Sequence, residues 1–419
     1  MKAFFAKIWA WVLANKVLAA IIAGATVVVL TVAIVVPVSV SSAKKKKAAQ
    51  EQQSQQQQPA GDQGGGGQQG GGEGAKSFTI TWKDYAGNVL ETDTNVKPGA
   101  MPTFDGEVPN KPSAYEDETY EAFKAWDKEV VAATADATYT ATYEAKPYNG
   151  EFPKVNSTGT KVKYGLYPQH VIEPSALEDT LNDEINAGAP VLDTRYEYEG
   201  KYYLKTKVHD AQNERTYEGT TFPVTNDDEL WFKCEPIEWS VLKNDTGRYH
   251  LFANIGLDNQ QYFATNTANS NNYENSLIRN WLNNEFYNAA FSLGNKFIQV
   301  TTVDNSAAST GVAENENACE NTNDKVYLLS AAELADGHEY GFTTEKRKIT
   351  ATDYTLAHGG YLDNNNHRNT AWWTRSPREY TGNGLDNRRV KGVTNAGNID
   401  VGFANNFESI APAIQITLN

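Results

Sequence analysis

The chain has 419 residues, more than one globular domain usually needs, which predicts two or three domains. Residues 1–47 contain seven Lys and no Asp or Glu, so the remainder carries 30 basic and 52 acidic residues, a formal charge of −22. Such a surface repels phosphate groups, which excludes nucleic acid as a partner. The 22 Tyr and nine Trp favour a β-rich extracellular composition over a helical cytosolic enzyme.

The first feature along the chain is an uncharged apolar run from Val17 to Val40. A transmembrane helix needs about 20 apolar residues, so the run predicts a membrane anchor over residues 17–41, after a cytoplasmic N-terminus at residues 1–16. A cleaved signal peptide is the alternative, because Ser41 and Ala43 are small residues at a cleavage position. The apolar core of such a peptide spans only about 7–15 residues, which favours the uncleaved anchor.

Residues 42–76 are rich in Gln and Gly and have almost no apolar side chains after the anchor. Such a segment does not bury enough apolar surface to offset the entropy of ordering, so it predicts a disordered linker. Lysines flank the apolar run on both sides, and the positive-inside count therefore does not orient the anchor by itself.

Alternation with a period of two residues begins after the linker and predicts strands. Phe78, Ile80 and Trp82 fall on one face of the first strand, and Tyr85–Asn88 supply a hairpin turn. The blocks TWKDYAGNVLETD and YTATYEA resemble an internalin B-type repeat, a small β-grasp-like module of bacterial surface proteins, over residues 77–145. The resemblance implies a spacer or interaction module outside the cell.

A linker-like stretch at residues 146–150 precedes one large predicted α+β domain, residues 150–419. Lys161–Tyr167 predicts a short strand that Pro168 breaks, and residues 171–230 predict a helix near 174–186 followed by hairpins. Further along, Ile237, Trp239 and Val241 alternate before a turn at residues 243–247, and residues 249–255 alternate after it. This pattern predicts a hairpin in the core.

Three short helices are predicted in the same domain. The first begins at Asn275 or Ser276 with an apolar stripe that includes Leu277 and Trp281, so Trp281 is interpreted as a core residue. The second follows a buried strand at residues 326–329 and begins with the capping box Ser330–Glu333. The third, Asp353–His358, ends at two glycines.

Six blocks of the chain resemble a family of gut-bacterial surface proteins that carry a domain of unknown function with a C-type-lectin-like layout: VKYGLYPQ, CEPIEWSVL, IRNWLNNEFYNAAF, ACENTNDKVYLLS, AWWTRSP and IAPAIQITL. The resemblance covers residues 155–419. It implies that the first and last strands, Val162–Tyr164 and Ile414–Leu418, pair with each other. It also implies ligand contacts on loops near the C-terminal end, which diversity-generating retroelements rewrite in some bacterial relatives.

The residue types that carry catalysis are scattered. Cys234 and Cys319 are the only cysteines and fit no zinc or redox spacing, which leaves one disulfide or two thiols open. No catalytic motif occurs, so no enzyme activity, catalytic residue, metal or cofactor is predicted. The alternatives are a formylglycine-generating enzyme on the same fold, which needs a metal-binding cysteine pair, and a cell-wall-modifying enzyme.

Two further motifs favour a structural interpretation. Asp363–His367 resembles the start of a calcium loop but lacks the Gly and the terminal Glu that such a loop requires, so it predicts a solvated loop. Arg375, between two Trp and Ser-Pro, is interpreted as a buried pairing or stacking residue.

The segment Arg378–Glu408 mixes aromatic, amide and basic side chains without a burial pattern, which is typical of a recognition surface. Ordinary Asn-Gly turns between short strands are the alternative. Alternation along residues 398–403 predicts that Asn398, Asp400 and Gly402 share one exposed face. The predicted ligand-binding residues are Tyr380, Asn383, Asn387, Arg388, Asn395, Asn398, Asp400, Phe403, Asn405 and Asn406.

These features predict a mainly β (α+β) protein with a single membrane pass and an extracellular ligand-binding part. The tether and the surface-type modules after the anchor orient residues 42–419 outward. The expected partners are an extracellular protein or glycan and, through the anchor, the lipid bilayer.

Overall fold

The computed structural model describes residues 76–172, 176–183, 193–209, 214–217, 220–223, 227–360 and 368–418. The predicted anchor and the motif at residues 363–367 lie outside these ranges. Within them, no helix has the length and apolar character to span a membrane. Ala75–Asn419 form one compact unit that is mainly β, as predicted.

The unit begins with a four-stranded sheet in the order β2-β1-β4-β3. Its strands are β1 (Phe78–Lys83), β2 (Val89–Val96), β3 (Thr119–Trp126) and β4 (Ala137–Pro147). β1 pairs antiparallel with β2 and parallel with β4. The predicted alternation of β1 is confirmed, because Phe78, Ile80 and Trp82 are buried, and Trp82 stacks on Tyr139 with ring centroids 4.7 Å apart.

Residues 146–150, which the sequence made resemble a linker, are part of the packed structure instead. β4 continues through Pro147, and the buried Tyr148 donates a hydrogen bond to the carbonyl of Lys163 at 2.7 Å. The ammonium of Lys154 donates to the carbonyl of Asp117 at 2.9 Å. These contacts fix the four-stranded sheet to the residues that follow it.

Short strands make up most of the remaining described chain. In chain order they are β5 (Lys154–Val155), β6 (Lys161–Val171), β7 (Arg195–Tyr198), β8 (Lys201–Lys207), β9 (Glu214–Tyr217), β10 (Thr220–Pro223), β11 (Glu229–Asp245), β12 (Arg248–Phe252), β13 (Ile255–Gly256), β14 (Asp258–Gln261), β15 (Thr301–Val303), β16 (Thr322–Asp324), β17 (Val326–Tyr327), β18 (Ile349–Ala351), β19 (Asn369–Thr370), β20 (Trp372–Pro377), β21 (Arg389–Val393), β22 (Ile399–Phe403), β23 (Phe407–Ile410) and β24 (Ala413–Thr417).

The described helices are short. They are α1 (Ala176–Asp183), α2 (Leu277–Trp281), a π-helical turn (Leu282–Phe286), α3 (Tyr287–Ala290), α4 (Asp353–Ala357) and two 3-10 turns (Ala308–Thr310 and Asp386–Arg388). The predicted start of α2 is confirmed, because the Ser276 hydroxyl accepts a hydrogen bond from the Arg279 amide.

The capping box at Ser330 forms as predicted, although no helix follows it. The Ser330 amide donates to the Glu333 carboxylate at 2.7 Å, and the Glu333 amide donates to the Ser330 hydroxyl at 3.2 Å. The chain continues as turns, and the Glu333 carboxylate also pairs with Arg375, at 2.6 Å. The predicted structural role of Arg375 is confirmed, since it is buried and donates to the Leu328 carbonyl at 2.7 Å.

The largest sheet has the order β17-β24-β12-β11-β6-β5, with β8 and β7 added beside β11. The predicted core hairpin is confirmed as β11 and β12, joined through Thr246 and Gly247, which both have positive φ. The strand predicted to end at Pro168 continues to Val171. Pro168 lies opposite Cys234 at a shift in register, where a missing backbone donor is tolerated.

The predicted pairing of the first and last strands is wrong. β24 lies between β12 and β17, while β6 pairs with β5 and β11. The hairpin of β11 and β12 is formed locally and places both of its strands between β6 and β24. All the residues of β24 from Ala413 to Ile416 are therefore buried in the interior of the sheet.

A second sheet of five strands, in the order β14-β23-β20-β21-β22, carries the segment predicted to bind ligand. Its central strand β20 is buried along its whole length. The segment forms the loop after β20, the hairpin of β21 and β22, and the turn into β23. The hairpin of β21 and β22 therefore forms one edge of this sheet, whereas the end of the segment, in β23, lies between β14 and β20.

Candidate ligand-binding site

Several of the predicted binding residues build turns at the sheet edge. The side chain of Asn383 accepts a hydrogen bond from the Leu385 amide at 3.0 Å, and the carboxylate of Asp400 accepts one from the Val401 amide at 2.8 Å. Asn398 closes the turn between β21 and β22, where the Thr394 amide donates to its carbonyl, and Asn395 lies in the same turn. At these positions the structure agrees with the alternative of ordinary turns.

A second group of predicted residues faces the loop at residues 266–269. The amide of Asn387 donates to the side chain of Asn269, and Arg388 donates to the carbonyl of Asn266, both at 3.3 Å. Phe403 packs beneath the guanidinium of Arg389, 4.6 Å from the ring centroid. These side chains hold the edge of the sheet together.

The predicted division of β22 into a polar and an apolar face is wrong. Asp400 is exposed as expected, but the apolar Ile399 is exposed too. Gly402 lies against the indole of Trp373, where an added Cβ would approach the ring to 3.1 Å. Every residue of β22 is exposed or half-buried, so neither of its faces is fully covered.

Exposed side chains remain at the two ends of the segment. Tyr380 is 57% exposed, and Asn406 and Phe407 are exposed in and just after the turn between β22 and β23. Asn405 contributes its carbonyl, which accepts a hydrogen bond from Gln261 at 2.7 Å. Phe407 is also 57% exposed and lines a large open cavity, which the sequence did not predict.

This cavity has a volume of about 1320 Å³. β14 and β23 form one wall, and their pairing places Glu408 opposite Gln260. The remaining walls come from β6, β7, β8, α2, the π-helical turn and α4. Residues that are far apart in sequence therefore meet at this site.

A hydrogen-bonded carboxylate forms the floor of the cavity. Asp258 accepts hydrogen bonds from the Tyr167 hydroxyl at 2.6 Å and from the Asn259 amide at 2.7 Å, and it pairs with His358 Nδ1 at 2.9 Å. Burial raises the pKa of Tyr167 well above its usual value, which keeps the phenol as a donor. Thr206 lies 3.5 Å from His358 Nε2 on the other side of the ring.

Glu408 stands in contrast to Asp258. Burial alone raises the pKa of its carboxyl to about 7. Within the described ranges, no side chain donates a hydrogen bond to this carboxylate or forms an ion pair with it. A desolvated acid without a partner that faces a cavity is a common mark of a functional site.

Trp281 does not have the core position that its helical spacing predicts. It is partly buried, packs on Phe286 with ring centroids 5.5 Å apart, and lines the cavity, whereas Leu277 is 41% exposed. The buried stripe instead consists of Ile278, Leu282 and Phe286, four residues apart, so Leu277 and Trp281 lie beside its centre.

Arg195 lies in the cavity wall, but its donors are used by the protein. It donates to the carbonyls of Leu166 and Ala289, at 3.0 and 2.5 Å, and to the hydroxyl of Ser292 at 3.1 Å. The guanidinium therefore anchors β7 to the neighbouring elements. It is poorly placed to receive an anionic ligand as well.

Both cysteines are free thiols, which settles the alternative left open by the sequence. Burial raises the pKa of Cys234 to about 12 and raises that of Cys319 as well. These surroundings disfavour the thiolate form that metal ligation requires. Among the residues that the structure describes, no cluster of three or more His, Cys, Asp or Glu side chains could hold a metal ion.

Comparison with known proteins gives one match. Residues 246–418 match the family model described as "Domain of unknown function (DUF6273)". The matched range runs from the turn of the core hairpin through β24, so it includes Asp258, His358 and Glu408 but not Tyr167 or Arg195. No curated protein and no solved structure matches the chain significantly.

Proposed function

We propose that this chain is a cell-surface protein, anchored by residues 17–41, that binds an extracellular ligand. The observation that carries the proposal is the open cavity of about 1320 Å³ beneath the exposed end of the segment Arg378–Glu408. Binding sites for small molecules measure roughly 300–1,000 Å³, so this cavity has room for part of a larger ligand. Its aromatic, amide and carboxylate lining is the mixture that recognition sites use.

The binding surface in this proposal joins the cavity to the predicted edge of the five-stranded sheet. Phe407, at the start of β23, lines the cavity, and Tyr380 lies in the loop between β20 and β21, outside the cavity lining. Exposed rings contribute contact area at low entropic cost, and interface residues of this type often dominate affinity. In this proposal the Asn side chains that form turns hold the exposed side chains in position.

The finer fold assignment belongs to the same proposal. A C-type-lectin-like layout for residues 150–419 is supported by the presence of β6 and β24 in one sheet, although they do not pair directly. A β-grasp-like module is supported by the four-stranded sheet of β1–β4 with its parallel central pair. Both assignments agree with display outside the cell.

The proposal can be tested with the purified full chain on an array of extracellular glycans and proteins. Phe407→Ala should weaken binding of any captured ligand by tenfold or more, a loss of about 1.4 kcal/mol. Tyr380→Ala should weaken it too where the ligand extends over the sheet edge. The matched control is Tyr85→Ala, since Tyr85 is an exposed ring of the four-stranded sheet outside the cavity.

Three outcomes decide the matter. Loss of binding in the Phe407 variant, with Tyr85→Ala binding normally and both melting temperatures unchanged, supports the proposal. Binding that survives Phe407→Ala and Tyr380→Ala overturns it as stated. Capture of no glycan or protein by the unmodified chain also counts against it.

A further inference from the structure

The charges around the cavity are mostly negative. The titratable side chains that line the cavity together with Glu408 are Asp193, Arg195, His209, Asp258, Glu285 and His358 and the phenols of Tyr167 and Tyr354. Of the acids, Asp258 is already satisfied by its own hydrogen bonds, and the cation Arg195 is engaged with backbone carbonyls. Among the described residues, Asp193, Glu285 and Glu408 are therefore the carboxylates of the lining with capacity to receive a ligand.

A carboxylate withdrawn from water is costly unless a cation or several donors compensate it. Glu408 sits in the wall of a cavity, and the described part of the chain supplies it with neither. Phosphate, sulfate and carboxylate ligands would add repulsion in this acidic surrounding. A positively charged group would supply the missing counter-ion.

Two partly exposed rings strengthen the case for a cation. Trp281 and Phe407 line the same cavity as Glu408, and neither is fully covered by protein. The face of an aromatic ring attracts ammonium and guanidinium groups, and the attraction is greatest for Trp. A carboxylate together with such rings is a favourable environment for a basic side chain.

We propose that the cavity binds a positively charged group, an ammonium or guanidinium, with Glu408 as its counter-ion and Trp281 and Phe407 as ring contacts. This inference rests on the proposed function and specifies its ligand as one that presents an exposed Lys or Arg side chain. The net negative charge of the chain, −15, would also speed the encounter with such a ligand.

The inference predicts how affinity changes with pH. Because the pKa of Glu408 is about 7, its carboxyl group is mostly neutral at pH 6 and mostly ionised at pH 8. Lys side chains of a ligand stay charged over this range. Binding should therefore be roughly tenfold tighter at pH 8 than at pH 6.

The experiment measures binding of hexalysine to the full chain by calorimetry at both pH values. Hexalysine acetylated on every side chain is the neutral counterpart, and spermidine distinguishes a small polyamine from a peptide. Glu408→Gln should weaken hexalysine binding by tenfold or more at pH 8 and remove most of the pH dependence.

Glu316→Gln is the matched control, because it removes the same charge from an exposed position outside the cavity. Its affinity should stay within twofold of that of the unmodified chain. Equal binding of hexalysine and its acetylated form, or unchanged affinity in Glu408→Gln, would overturn the inference. If hexalysine does not bind while Phe407→Ala still abolishes capture of an array ligand, the inference of a cationic ligand is wrong and the proposed function is supported.

Discussion

Arg375 and Glu333 form an ion pair in the interior, and the Ser330 amide, which donates a hydrogen bond to the Glu333 carboxylate, holds that carboxylate in place. Burial by itself raises the pKa of Glu333, but the pairing with Arg375 and the hydrogen bonds with Ser330 together outweigh it and hold the pKa below its usual value. The Glu333 contribution to stability is therefore fully present above the ordinary carboxylate pKa and is lost as the pH falls through the lower folded value.

Glu333→Gln should lower the free energy of unfolding by about 3 kcal/mol or more at pH 7, because it leaves a buried guanidinium without its counter-ion. Denaturant titration measures this loss. The matched control is Glu345→Gln, which breaks a pair with Lys348 at 2.8 Å where Glu345 is largely exposed. That change should cost less than about 1 kcal/mol. Equal losses in the two variants would contradict the assigned role of Glu333.

Glu408 should have the opposite effect on stability. Its folded pKa lies above the unfolded value, so its stabilising contribution is complete at acid pH and is lost as the pH rises through about 7. Glu408→Gln should therefore raise the free energy of unfolding by about 1–3 kcal/mol at pH 8, allowing for partial exposure, and change little at pH 4. Thermal unfolding at both pH values checks this. A variant that is less stable at pH 8 would show that the carboxylate has a partner.

Single residues were predictable from the sequence where their local neighbours determine them. The surroundings of Arg375 and the spacing of Ser330 and Glu333 are local patterns, and both predictions are confirmed. The cavity was not predictable, because Tyr167, Asp258 and His358 come from distant elements and have no shared spacing. The predicted binding amides mark turns, which Asn favours for its own local hydrogen bonds.

At the scale of elements, hairpins were predictable and sheet order was not. The hairpin of β11 and β12 follows from alternation on both sides of a turn, which is local information. The position of β24 between β12 and β17 depends on pairing with strands that are distant in sequence. Several strands have apolar residues that β24 could cover, so the sequence pattern does not select its neighbours. The π-helical turn after α2 was missed for a related reason, since its extra width leaves no signal in α-helical spacing.

Truncation after Ala411 tests the position of β24. The deletion removes a strand with two neighbours and exposes the faces that Ile414 and Ile416 cover. Each fully buried side chain of this kind contributes roughly 1.5–3 kcal/mol, against a total stability of about 5–15 kcal/mol. We expect the truncated chain to lose its cooperative thermal transition. An unchanged melting temperature would contradict the interior position of β24.

At the scale of the whole molecule, the four-stranded sheet and the residues after it form one unit. Glu238 of β11 accepts a hydrogen bond from the Tyr115 hydroxyl and pairs with Lys161 at 2.5 Å, and Lys163 donates to the Tyr115 carbonyl at 3.1 Å. The two predicted modules are thus joined by polar contacts that the sequence pattern could not reveal, because composition alone made residues 146–150 resemble a linker.

Protease added to intact cells should cut within the predicted linker, residues 42–76, and release a fragment that remains whole across residues 146–150. The first part follows from the proposed outward orientation, and the second from the packed joint at Tyr148. Mass spectrometry of the released fragment measures both. Protection of residues 77–418 until lysis would contradict the orientation, whereas cleavage at residues 146–150 would contradict the rigid joint.

The interior position of β24 also limits when the domain can fold. Ile414 belongs to the last strand of a sheet whose other strands lie earlier in the chain. Its partner Leu251 therefore stays unpaired on that side until β24 has been synthesised. Contacts between residues so distant in sequence form slowly, and partly made chains expose unpaired strand edges meanwhile. Until residue 417 had emerged, a ribosome or an export channel would therefore hold a chain whose largest sheet lacks β24. Passage through a narrow pore in an unfolded form is compatible with that order of events.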